Sequence, residues 1–251
     1  MCGRYVMARA VGDLVAATGA EYPEDFALRE SYNVAPTTDV PILLERVVEG
    51  EIRRQLHIAR WGLVPGWAKD PSVGARAFNA RIETVAEKPT FRAALGARRC
   101  AVPVDGYYEW KKLGPRSKRP YFVHPADGSP ILFAGLYEWW QDPSRAEGDP
   151  ERWLLTTTVI TTAAPPADST SPVLRELASL HDRMPAPMDR DTLDAWLDPT
   201  VKDGAALAEL VRDRAYDAAS GWMLDPVGAA VGNVRNNSPE LIVPQPDLLE
   251  S

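Results

Sequence analysis

Seven strand-like runs, at residues 40–48, 56–63, 100–104, 121–124, 131–137, 153–161 and 222–227, dominate this sequence, and no regular succession of long helices separates them. A doubly wound sheet alternates strand with helix throughout, so that architecture is disfavoured. Helical signals are fewer. Asp191 opens a short segment ending at Leu197, and Thr200 or Asp203 opens an Ala- and Leu-rich stretch to about Arg214. Weaker candidates lie at residues 11–18, 88–95 and 173–180. The polar stretches 111–120 and 141–150 read as surface loops between strands, and no repeat of fixed period occurs. These features predict an α+β fold, a single domain around a curved, barrel-like mixed β-sheet with flanking helices. The domain is expected over residues 2–245, with residues 246–251 as a C-terminal tail.

The 23 prolines sharpen this reading. Many stand beside polar or aromatic residues, as in Val34-Ala35-Pro36, Val64-Pro65-Gly66 and Met184-Pro185. Proline fixes its own φ and restricts the preceding residue, so such loops hold one shape without a hydrogen-bond ladder. The chain has no run of eighteen apolar residues and no apolar stretch behind its N-terminal charges, so neither a membrane span nor a signal peptide is expected. A cytoplasmic protein with no membrane partner is anticipated. Two cysteines and three scattered histidines give no disulfide framework and no zinc spacing, so no metal and no cofactor are expected. The net charge of -7 argues against nucleic acid in general. It conceals an asymmetry, however: residues 1–125 carry 19 basic and 14 acidic side chains, whereas the remainder carries 9 and 21. An anionic partner could be met on one face only, and chance would explain the same imbalance.

Cys2 is the most informative residue. Removal of the initiator methionine ahead of a small second residue would leave a terminal cysteine with both a free α-amine and a thiol. Such an amine, with an ordinary pKa of about 7.7–8.0, is partly neutral at physiological pH and can attack a carbonyl. An aldehyde would give an imine, onto which the thiol closes a five-membered thiazolidine. The plainer reading is a position merely tolerant of cysteine. Three further segments add polar groups in constrained surroundings. In an extended Phe78-Asn79-Ala80-Arg81, Asn79 and Arg81 share a face and offer an amide and a guanidinium together, or they are a turn asparagine and a surface arginine. Glu109 lies among the aromatics of Asp105-Gly106-Tyr107-Tyr108-Glu109-Trp110, where desolvation would fit it for proton transfer near neutrality, although a glutamate on a solvent face is commoner. His181 and Arg183 stand just before Pro185, in what reads as a constrained polar loop. His57 and His124 sit inside strand patterns without polar companions and are read as structural, and Cys100 is assigned to the core.

Together, Met1-Cys2-Gly3-Arg4-Tyr5, Tyr32-Asn33-Val34-Ala35-Pro36-Thr37, Arg60-Trp61-Gly62-Leu63-Val64-Pro65-Gly66-Trp67-Ala68, Asn79-Ala80-Arg81-Ile82-Glu83-Thr84, Val104-Asp105-Gly106-Tyr107-Tyr108-Glu109-Trp110 and His181-Asp182-Arg183-Met184-Pro185 resemble the motifs of the SRAP (SOS response-associated peptidase) family of abasic site processing proteins. They occur in family order over nearly the whole chain. The resemblance implies a sensor and shield of abasic sites in single-stranded DNA, linked to the SOS response and DNA repair. The lesion's ring-opened aldehyde would be trapped covalently by Cys2, with associated lyase-type and reversal chemistry. It implies Cys2 as nucleophile, Asn79 orienting its amine, Glu109 moving protons at the imine and His181 as acid in opening the sugar. Arg4, Asn33, Pro36, Trp67, Arg81, Thr162 and Arg183 fall where relatives line the DNA groove, and Trp67 could stack on any base. A monomer is expected, nucleoid-associated when bound to damaged DNA. The acidity of the whole points to affinity from a local groove and covalent capture rather than long-range attraction. Two other readings remain open: an N-terminal-cysteine peptidase or amidase, including self-removal of Met1, and a non-covalent single-strand binding module.

Overall fold

The computed structural model describes residues 2–24 and 26–245, so the expected tail at 246–251 lies outside the described residues. The strands are β1 (Tyr5–Met7), β2 (Ser31–Val34), β3 (Asp39–Val48), β4 (Glu51–Trp61), β5 (Asn79–Arg81), β6 (Arg99–Val104), β7 (Gly106–Lys112), β8 (Lys118–Pro125), β9 (Ile131–Gln141), β10 (Trp153–Ala163), β11 (Arg183–Pro185), β12 (Pro187–Met188) and β13 (Trp222–Pro226). The helices are α1 (Val11–Thr18), α2 (Arg92–Leu95), α3 (Pro172–Leu180), α4 (Arg190–Leu197) and α5 (Gly204–Ala218). All seven expected strand runs are strands, and the predicted α+β barrel is found.

Closure of the barrel depends on β10. The order β10-β4-β3-β6-β9 returns to β10 through a long antiparallel ladder with β9, making five strands in a ring. Only the β4–β10 seam of the ring is parallel, with Arg60 opposite Thr156 and Trp61 opposite Thr157. Side chains alternate across each strand. Ile42, Leu44, Ala59, Cys100, Val102, Phe133, Leu155 and Val159 therefore fill one core, while Leu43, Leu56, Ala101, Ala134 and Leu136 join a second core with Trp196, Leu207 and Val211 of α4 and α5. The second sheet, β13-β8-β7-β1-β2, lies beside the ring. β1 is interior to it, flanked by β7 and β2. Asp105 holds β1 in register, its carboxylate accepting from Ala8 N at 2.6 Å, Arg9 N at 3.0 Å and Arg9 Nε at 2.9 Å.

Several expectations need correction. The cap of α4 is Asp189, whose carboxylate accepts from Thr192 N at 2.8 Å, and Asp191 lies in the first turn. Asp203 rather than Thr200 caps α5, which runs on to Ala218. The helix expected at 88–95 shrinks to α2, because Pro89 falls in a run of turns that occupies residues 82–91 apart from Lys88. His124 does have a polar companion: its Nε2 lies 3.0 Å from Asp225 Oδ2 on the neighbouring β13. No described helix is long and apolar enough to cross a membrane, and no group of three His, Cys, Asp or Glu among the described residues could hold a metal.

Candidate active site

The pairing of β1 with β7 brings the start of the chain to Glu109. Tyr5 stands opposite Tyr107, and Tyr108 N donates to Arg4 O at 2.9 Å, so the segment before β1 runs alongside Glu109 and Trp110. Cys2 is wholly buried there. Its thiol is pushed up to about 12, first by burial and then by the charge of Glu109, against a smaller opposing effect from the Arg4 backbone N–H. Glu109 is itself buried and accepts from Trp110 N at 3.2 Å. A glutamate facing solvent, the plainer expectation, is not what the fold contains.

Asn79 arrives from another direction. As β5 it runs parallel to β10, with Asn79 opposite Val159, and its Nδ2 donates to Cys2 O at 2.7 Å. Its Oδ1 is buried with no hydrogen-bond partner. A buried acceptor left unmet is costly unless something else occupies it. Tyr5 and Tyr107 complete the wall. Both phenols are pushed up by burial and then by the nearby Cys2 sulfur, with Glu109 adding to the effect on Tyr107.

His181 follows the last residue of α3, and Arg183 begins β11, which pairs with the far edge of β10. The end of β10 thus has Arg81 of β5 on one side and Arg183 of β11 on the other. His181 Nδ1 accepts from Arg183 N at 3.0 Å and lies 2.6 Å from Asp182 Oδ1. The two contacts need different states of Nδ1: without a proton it accepts from the amide, and with one it donates to the carboxylate. Either way Nδ1 is engaged within its own segment. A cleft of about 630 Å³ opens here, lined by Arg81, His181, Asp182, Arg183, the end of α3 and Lys112.

The remaining groove candidates are dispersed. Arg4 Nη1 donates to Asn33 Oδ1 at 2.8 Å and to Val231 O at 2.7 Å, and its guanidinium sits 5.9 Å from the Trp110 ring. Asn33 Nδ2 in turn donates to Asn233 O and Asn236 O, tying the segment after β13 to β2. Arg183 is held by Glu83 at 2.7 Å and by Thr161 O at 2.6 Å. Arg81 is exposed, Thr162 is buried within β10, and Pro36 opens a turn whose Thr37 has φ 72°. Trp67 is 65% exposed on the loop after β4, an unusual position for so large an apolar surface.

Trp61 stands within the motif at 60–68, which gave it no role. Its ring lies 4.9 Å from Tyr5 and 5.9 Å from Phe78, its Nε1 donates to Phe78 O at 2.8 Å, and its carbonyl accepts from Thr37 N at 2.7 Å. It therefore joins β1, the entry to β5 and the Pro36 turn. Its alternation within β4 marked it only as core. Lys112 was likewise hidden inside a stretch read as loop.

Comparison with known proteins agrees with this architecture. The chain is 36% identical over 244 residues to the abasic site processing protein YoqW of Bacillus subtilis, covering 96% of this chain and 99% of the relative. It is 30% identical over 250 residues to the abasic site processing protein YedK of Escherichia coli, covering 97% and 100%. A solved protein from Bacteroides thetaiotaomicron shares the fold with a TM-score of 0.76 at 23% identity, over 97% of this chain and all of that one. The family model described as SOS response associated peptidase (SRAP) matches residues 1–234, and the chain belongs to that family.

Proposed function

We propose that this protein processes abasic sites in single-stranded DNA by trapping the lesion's aldehyde on Cys2. The observation that carries the reading is the burial of Cys2 between an amide that holds its carbonyl and the buried Glu109. Loss of Met1 leaves the α-amine beside Asn79, whose buried Oδ1 is an acceptor available to orient it. His181, which lines the cleft, supplies the proton that opens the closed sugar. The amine then adds to the aldehyde carbon, and the carbinolamine loses water to give an imine. In the last step the Cys2 sulfur bonds to the imine carbon, the C=N electrons pass to nitrogen, and Glu109 takes the thiol proton and delivers it to that nitrogen. One water is released overall.

The same geometry weighs against a thiol-first peptidase. A nucleophilic cysteine needs thiolate, and burial holds this one protonated. The amine is the better first nucleophile, with the thiol reserved for an activated imine. Lyase-type strand cleavage and reversal would both pass through that imine. The names of the relatives YoqW and YedK, as abasic site processing proteins, support the substrate assignment.

Intact mass after incubation with an abasic oligonucleotide tests the proposal. The expected species starts at Cys2 and has the summed mass of protein and DNA less one water, stable without reductant. Cys2→Ala should give only a transient imine that borohydride traps. A durable adduct in Cys2→Ala without reductant would overturn the thiazolidine.

A further inference from the structure

Residues 111–119 hold Lys111, Lys112, Arg116, Lys118 and Arg119 and no acidic side chain, in a chain of net charge -7. They form the ends of β7 and β8 and the turn between them, closed by Leu113 N donating to Ser117 O at 3.0 Å. The ladder sets Lys112 directly opposite Lys118 and Lys111 opposite Arg119. Like charges facing each other across a ladder are destabilising. Among the described residues no ion pair relieves Lys111, Lys112, Arg116 or Lys118. Lys112 also lines the cleft that contains Arg81, His181 and Arg183. The concentration of charge is thus continuous with the candidate site.

We infer that the β7–β8 hairpin is an accessory nucleic-acid surface, which binds the phosphate backbone of the strand as it leaves the cleft. The inference rests on the proposed reading of the cleft as a DNA site, and extends it to a surface outside the reacting centre. Phosphates supply the counter-charge that the protein itself withholds. Because the contact is made by ammonium and guanidinium groups to backbone phosphates, it reads no base sequence. The hairpin adds length to the bound strand and leaves the chemistry at Cys2 alone. Its sheet neighbours give it a fixed position, since β8 is held between β7 and β13.

The test uses the full chain and a single strand containing tetrahydrofuran, an abasic analogue with no aldehyde, so that binding is read without capture. Neutralising the surface in an Arg116→Gln, Lys118→Gln variant should flatten the plot of log affinity against log salt by about 1.4, or about 0.7 for each lost phosphate contact to single strand. The loss should vanish on oligonucleotides trimmed to end beside the analogue on the side that runs over the hairpin. The melting temperature should stay level or rise as like charges are removed. Adduct formation on a trimmed abasic oligonucleotide should proceed at the wild-type rate. If wild-type protein binds and captures but the variant keeps the full salt slope, the hairpin proposal is overturned and the reading of Cys2 stands. If wild-type protein neither binds the analogue nor captures abasic DNA, the DNA reading falls, and this inference with it.

Discussion

Burial of two thiols gives the protein an alkaline weakness that individual residues explain. Cys2 and Cys100 both rise from an ordinary 9.0 to about 12, each chiefly through burial, with Glu109 reinforcing Cys2 and a Thr157 hydrogen bond opposing the rise at Cys100. Above pH 9 the unfolded chain releases thiol protons that the folded chain keeps. The stability from each protonated thiol is therefore complete below pH 9 and is lost as pH climbs toward 12, at up to about 1.4 kcal/mol per pH unit per thiol. Urea denaturation at pH 9 to 11 should show a falling midpoint, and Cys100→Ala should make that fall shallower while lowering stability at neutral pH. An unchanged slope in Cys100→Ala would refute the account. The chemistry proposed for Cys2 was argued from its position and functional groups alone. The burial of Cys2 was not legible there, because the residues enclosing it, Tyr107, Glu109 and Asn79, lie more than 70 positions away in sequence.

Elements decide whether those distant residues meet, and glycine marks the tightest junctions between them. A Cβ on Gly106 would meet Phe122 Cε2 at 2.5 Å and Val123 O at 2.6 Å, and a backbone carbonyl cannot move aside cheaply. Gly106→Ala should push β7 off β8, cost about 1–3 kcal/mol, and slow capture by displacing Glu109. Gly96→Ala, with open space around its Cβ and a helical backbone, serves as the control that changes neither. Calorimetry and adduct rates on both variants check this, and normal capture by Gly106→Ala would show that the register of β7 does not position Glu109. The long strands were readable in the sequence because each carries enough alternating or continuous apolar residues to show a period. β1, β5 and β11 have three residues each, too few for any period, yet they frame the candidate site. Asn79 and Arg81 were correctly paired on one extended segment, but only the parallel seam with β10 reveals what that segment faces. The cap at Asp189 was missed because Asp191 presents the same chemistry two positions on. The tie between His124 and Asp225 spans a hundred residues and leaves no local trace.

At the scale of the whole molecule, five cationic side chains are gathered at residues 111–119 of a chain with net charge -7, so an anionic strand would be drawn to that end of the hairpin. The topology has a further implication, concerning time. β1 is made first, but one of its two sheet neighbours, β7, begins at Gly106, and Asn79 and β10 come later than β1 as well. At roughly 5–20 residues per second, the ribosome leaves Cys2 without β7 for about 5–20 s. Throughout that interval the leading segment is an exposed tail, open to any aminopeptidase. Once the sheet closes, Cys2 is wholly enclosed. The proposed maturation is therefore an event of synthesis rather than of the finished protein. Folded protein that still carries Met1 should resist methionine aminopeptidase, whereas the same chain unfolded in mild denaturant should be trimmed, and mass spectrometry distinguishes the two. Equal trimming of both would mean that the closed sheet does not guard its first strand. A cell short of aminopeptidase during a burst of synthesis would accumulate correctly folded molecules whose nucleophile is permanently capped.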